Sequence, residues 1–215
     1  MRLKFWLRGS LEVFGLSMGI TVMFIVMMWL QSVDMRLADI VYLLPLYMML
    51  SGALVNVIMM TAGFRQWMSL TLSMGSTRRE TFWGFQIIKL LPAALIAATA
   101  AAMLGFMDMF RELRELLPFA VAFVFGSAAV GGIVGLVGYR FGKVGTIVSV
   151  AALALSGMGL GVTAAMTIDG EAMEVVGAIG GIGAWGYAAL AAACVLIAVG
   201  MLIERPVIRR FEARL

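Results

Sequence analysis

The chain has no histidine and a single cysteine, Cys194, in 215 residues. The first absence removes His-dependent triads and histidine metal sites, and the second removes any intrachain disulfide and leaves no zinc set. Cys194 lies in an apolar run, where a small packing residue is expected. Charge is sparse too, at 13% of residues. No hydrophilic stretch is long enough to bury a core of its own, so any soluble catalytic machinery must sit on another polypeptide. There is no G-x-x-x-x-G-K-[ST] phosphate loop, and the glycine-rich runs lie inside apolar segments with no Lys-Ser/Thr after them. No motif carries catalysis, and no metal or cofactor site is expected on this chain. The apolar runs also lack the acids that proton- or sodium-driven transporters normally carry, since their clearest polar groups are Gln31, Ser51, Asn56, Ser127, Ser149, Ser156 and Thr163.

What is abundant is apolar surface: 63% of residues are hydrophobic and the mean hydropathy is +1.04. These values exceed those of soluble domains and describe an all-α polytopic membrane protein with a single transmembrane domain. Six runs are long enough to cross a hydrocarbon core of about 30 Å as helices. They are Leu11 to Leu30, Ile40 to Gly63, Phe82 to Met107, Leu116 to Tyr139, Val144 to Ile168 and Val175 to Ile203. Met1 to Ser10 mixes Arg2, Lys4 and Arg8 with Phe5 and Trp6, as in an interfacial segment at headgroup level, and residues 204–215 form a basic tail. Leu11 to Leu30 is read as a retained anchor rather than a signal peptide, because Gln-Ser-Val-Asp follows it where a small-residue cleavage site would be needed. Lys89 is expected to snorkel to the interface. Pro45 and Pro92 are expected to bend their helices, and Pro206 to follow the sixth span. A brief interfacial helix or a solvated turn is expected at Met107 to Pro118. Ser127-x-x-x-Gly131-x-x-x-Gly135 is the strongest run of small residues for close helix packing, within the subunit in preference to a dimer face.

Basic residues set the expected orientation. When alternate loops are counted, only Arg36, Arg111 and Arg114 of the sixteen Lys and Arg fall on one side. The crowded side is therefore cytoplasmic, and it holds both termini. The computed pI of 9.6 follows from this placement and does not call for a nucleic-acid partner. Among the acids, Glu12, Glu80, Glu204 and Glu212 fall inside and the rest outside.

The longest interruption between apolar runs is Phe64 to Glu80 (FRQWMSLTLSMGSTRRE). At about 100° per residue, Arg65, Gln66, Ser69, Ser73 and Ser76 share one side of a helix, while Phe64, Trp67, Met68, Leu70, Leu72 and Met74 share the other. Thr71 alone strays into the apolar sector. Gly75 can end a helix in a left-handed conformation, and Thr77-Arg78-Arg79-Glu80 has the spacing of a capping box that starts another. A strand over 69–74 also fits the alternation, but beside a membrane its backbone groups would lack partners.

Overlapping this stretch, Met68 to Gly84, with SLTLSMGSTRRETFWG at its heart, resembles the segment between helices two and three in permease subunits of type-2 ABC transporters. The matching positions are Gly75, Thr77, Arg78, Arg79, Glu80 and Phe82. The resemblance implies a small six-helix exporter subunit of the bacterial cytoplasmic membrane, with an amphipathic coupling helix between helices 2 and 3. It further implies a separately encoded cytoplasmic ATPase, which would carry the ATP and Mg, and a second permease half, identical or homologous. By position, Arg65, Gln66, Ser69, Ser73, Ser76, Thr77, Arg78, Arg79 and Glu80 would dock that ATPase. The expected short loop before the sixth span departs from members that carry a hairpin there, so the resemblance leaves the cargo open. The alternative reading is a membrane scaffold that recruits a cytoplasmic partner without transport.

Overall fold

The computed structural model describes residues 2–31, 37–106, 117–168 and 181–210, with side chains omitted at some positions, notably Arg65 and most of 143–185. All of the described secondary structure is helical: α1 (Arg2–Gln31), α2 (Leu37–Ser73), α3 (Arg78–Phe106), α4 (Leu117–Ile168) and α5 (Gly181–Arg209). α4 is two helical pieces joined at Gly142, whose φ of 63° and ψ of −145° leave the helical region. That break falls in the expected turn between the fourth and fifth spans. Five described segments are long and apolar enough to cross a membrane: Leu3–Met27, Tyr47–Phe64, Arg78–Phe106, Leu117–Gly142 and Gly186–Arg209. Most of the expected interfacial segment at 107–118, the first residues of the sixth span and the end of the tail lie outside the described residues.

Helix boundaries depart from the sequence reading in three places. Residues 2–10 are continuous with the first span, since α1 starts at Arg2, and Trp6 is buried in the core. No distinct coupling helix stands between α2 and α3. Residues 64–73 continue α2, which reaches 37 residues, or about 55 Å at 1.5 Å per residue. Gly63 and the apolar-to-polar transition are both tolerated inside a helix whose buried stripe continues across them. Pro206 does not end the last helix, which runs on to Arg209. α2 and α3 likewise run through Pro45 and Pro92.

α2 is the central element, in contact with α1, α3 and α4, while α5 packs mainly on α4 and partly on α3. Two apolar clusters fill the bundle. Trp6, Met60, Phe64, Met68, Phe85, Ile88, Leu136 and Ile208 form the one nearer the basic end. Met48, Met49, Ala93, Ile96, Ala100, Val124 and Ala128 form the other. The Ser127 to Gly135 run does pack within the subunit. A Cβ on Gly135 would lie 2.7 Å from the Met60 carbonyl oxygen, and one on Gly131 would lie 3.0 Å from the Val57 Cα, so only glycine admits α2 this close. Hydroxyls lie between α1 and its neighbours: Thr21 Oγ1 and Ser51 Oγ are 2.6 Å apart, and Ser10 Oγ, which donates to the Trp6 carbonyl at 2.9 Å, lies 3.5 Å from the Ile87 carbonyl oxygen. Cys194, expected to pack, is exposed on α5.

Candidate functional site

The α2–α3 turn is fixed by local chemistry on both sides. α2 ends in a Schellman motif: the Gly75 N–H donates to the Leu72 carbonyl and the Ser76 N–H to the Thr71 carbonyl, both at 3.0 Å. Gly75 takes φ of 74°, the left-handed region that a side chain would disfavour. α3 starts in a reciprocal capping box. The Thr77 N–H donates to Glu80 Oε2 at 2.9 Å, and the Glu80 N–H donates to Thr77 Oγ1 at 3.2 Å. Two helices thus meet across four residues, with backbone groups on either side of the turn satisfied.

The residues singled out by sequence are all at this tip. Gln66, Ser73, Thr77, Arg78, Arg79 and Glu80 are exposed, Ser69 and Ser76 are half-buried, and the Arg65 side chain is outside the described set. Ser69 and Ser73 each donate to a carbonyl three residues back, at 3.0 and 2.7 Å, so these hydroxyls also brace α2. The apolar side is partly as expected: Phe64 and Met68 are fully buried, and Trp67 and Leu72 pack on the same cluster. Leu70 and Met74 are exposed instead. The sector centred on Phe64, Met68 and Thr71 faces the bundle, and Leu70 lies about 120° away from it. Thr71 can occupy that buried centre because its hydroxyl reaches the Trp67 and Met68 carbonyls at 2.7 and 3.2 Å.

Behind the tip lies a buried polar cluster that sequence reasoning missed. Lys89 does not snorkel. Its ammonium donates to both Glu204 carboxylate oxygens at 2.9 Å, Gln86 Nε2 donates to Glu204 Oε2 at 2.7 Å, and both members of the ion pair have 0% side-chain exposure. Glu204 is therefore a bundle residue and not part of a solvated tail. Gly132 on α4 makes room for the pair: a Cβ there would collide with Glu204 Oε1. Asn56 on α2 donates to the Lys89 carbonyl at 3.2 Å. Pro92 has no N–H to offer the neighbouring Ile88 carbonyl. The signal was present in the sequence as Gln86 and Lys89 inside an apolar run, since a lysine there calls for an acid partner.

A second link joins the tip to α5, where an Arg78 Nη1 donates to the Arg209 carbonyl. Next to it a groove of about 840 Å³ opens between the start of α3 and the end of α5. Arg78, Arg79, Arg205 and Arg209 line it, together with Phe82, Trp83 and Leu202. With Arg8 on α1 and Arg140 on α4, the described arginines gather at the same end of the bundle. No group of three or more potential ligand residues that could hold a metal occurs among the described residues. No family model, curated protein or solved structure matches the chain.

Proposed function

We propose that this chain is the membrane permease subunit of an ATP-driven ABC exporter, coupled through its α2–α3 tip to a separate cytoplasmic ATPase. The observation that carries the reading is the construction of the tip. A Schellman motif and a capping box hold two long helices back to back and present Gln66, Ser73, Thr77, Arg78 and Arg79 outward. A loop that only set orientation would not need both motifs. The tip is also joined to α5 twice, by the Arg78–Arg209 bond and by the Gln86/Lys89–Glu204 cluster. A push on it therefore has a route into the last helix. In this reading ATP and Mg belong to the partner, and a second permease half completes the pathway in a bacterial cytoplasmic membrane. The competing reading, a non-transporting scaffold, is favoured by the continuity of α2, which leaves no helix lying crosswise between α2 and α3.

The test is purification from native membranes in a gentle detergent, followed by ATP turnover. An ATPase subunit should co-purify. Ser73→Trp or paired reversal of Arg78 and Arg79 to Glu should release it from a still-folded chain. Thr77→Ala, a cap loss of about 1 kcal/mol, should lower turnover more than yield. If no ATPase accompanies the chain and none gains turnover from it, the exporter reading fails. If polar-tip variants keep full association and turnover, the docking assignment fails.

A further inference from the structure

The groove between α3 and α5 combines two features that a single class of ligand satisfies. Its rim carries the guanidinium groups of Arg78, Arg79, Arg205 and Arg209, and its lining includes no acidic residue. Among the described residues no ion pair joins any of these four arginines to a carboxylate, in contrast to Arg8–Glu12 and Lys89–Glu204. Its wall is apolar: Trp83 is 55% and Leu202 71% exposed. That wall continues up α5 through the exposed Val199 and Val195, at the spacing of one helix face. A soluble anion would use the rim and leave the wall bare, whereas an apolar partner would leave four like charges facing one another. We infer that the groove binds an anionic phospholipid, its headgroup phosphate among Arg79, Arg205 and Arg209 and an acyl chain along Trp83 and Leu202. Arginine suits the role because its planar fork bonds two phosphate oxygens at once, and basic pockets between helices at the membrane surface are apt for acidic headgroups. The inference needs only that this end of the bundle lie at headgroup level, and does not depend on the exporter reading.

The test uses the purified full chain alone. Native mass spectrometry in a neutral detergent compares dioleoyl phosphatidylglycerol with dioleoyl phosphatidylcholine, and a further arm adds inorganic phosphate as competitor. Phosphatidylglycerol should be retained in preference, and phosphate should not displace it. Arg205→Gln/Arg209→Gln should weaken its binding roughly thirtyfold, from about fivefold per basic residue, while Arg8→Gln on α1 should not. Should the double variant fold poorly, tryptophan quenching by phosphatidylglycerol brominated in its acyl chain decides the matter. Quenching should fall in Trp83→Phe, whose charges are intact. Equal retention of the two lipids, unchanged binding in the folded double variant, or undiminished quenching in Trp83→Phe would each overturn the assignment. So would displacement by phosphate alone, or a lipid-free dimer that buries Trp83, which would make a second copy the occupant.

Discussion

Replacing Glu204 by alanine should be among the most damaging single changes in this chain. The carboxylate accepts three hydrogen bonds, two from Lys89 and one from Gln86, in a site with no exposure. Removing one member of a buried ion pair typically costs about 3–5 kcal/mol, because the other charge stays behind without a partner. The stranded Gln86 donor adds to the loss, so about 4 kcal/mol is a conservative figure. On the scale of globular chains of this length, each kcal/mol moves the midpoint by about 2–4 °C, which gives a drop of roughly 8 °C or more. The informative comparison is the charge-free triple variant Gln86→Leu/Lys89→Met/Glu204→Met. It leaves no polar group stranded, and exchanging a whole buried pair for apolar side chains of similar volume is commonly neutral. Its midpoint should lie within about 4 °C of the parent on that same scale. The assay is a thermal melt of detergent-solubilised protein followed by size-exclusion chromatography, run on all variants at matched concentration. A Glu204→Ala melt indistinguishable from the parent would refute the buried pair. A triple variant that melts more than about 4 °C below the parent would show that the pair is net stabilising.

Two further outcomes follow from helix contacts and charge placement. Gly135→Ala must push α2 and α4 apart, because the new carbon meets a backbone oxygen at 2.7 Å, and should cost about 1–3 kcal/mol in the same melt. Gly126→Ala is its control, since the added carbon meets only Ala193 Cβ at 3.9 Å and should change little. In a Cys194→Ser background, Phe106→Cys should label with a membrane-impermeant thiol reagent on intact cells and Ser76→Cys should not; the reverse pattern would invert the orientation.

The parts of this fold that could be read from the sequence are those decided within a few residues. Gly75 and the Thr77 to Glu80 spacing announce a stop and a restart because the bonds that make them span three to five positions. The Ser127 to Gly135 run was readable because helix periodicity alone puts its small residues on one face. What escaped depended on distance along the chain. Lys89 looked like a snorkelling residue because its partner lies 115 positions away, in what looked like a tail. The end of Glu204's span was misplaced for a related reason: Arg205 and Pro206 suggest an exit, yet Ile208 packs beside Met68 and Phe85 and draws the helix onward. Leu70 and Thr71 exchange their expected surroundings because the bundle, and not hydropathy, defines which sector is inside.

The same separation of 115 residues has a consequence for how the protein is made. Lys89 leaves the ribosome long before its counter-ion, and at about 5–20 residues per second the delay is on the order of ten seconds. During that interval the third helix presents a lysine to the insertion machinery with no acid to meet it. Until α5 arrives, that ammonium can keep its hydration only by reaching along its side chain toward the interface. The buried cluster is completed only when α5 is in place, and a nascent chain stalled before Glu204 would carry Lys89 without its counter-ion.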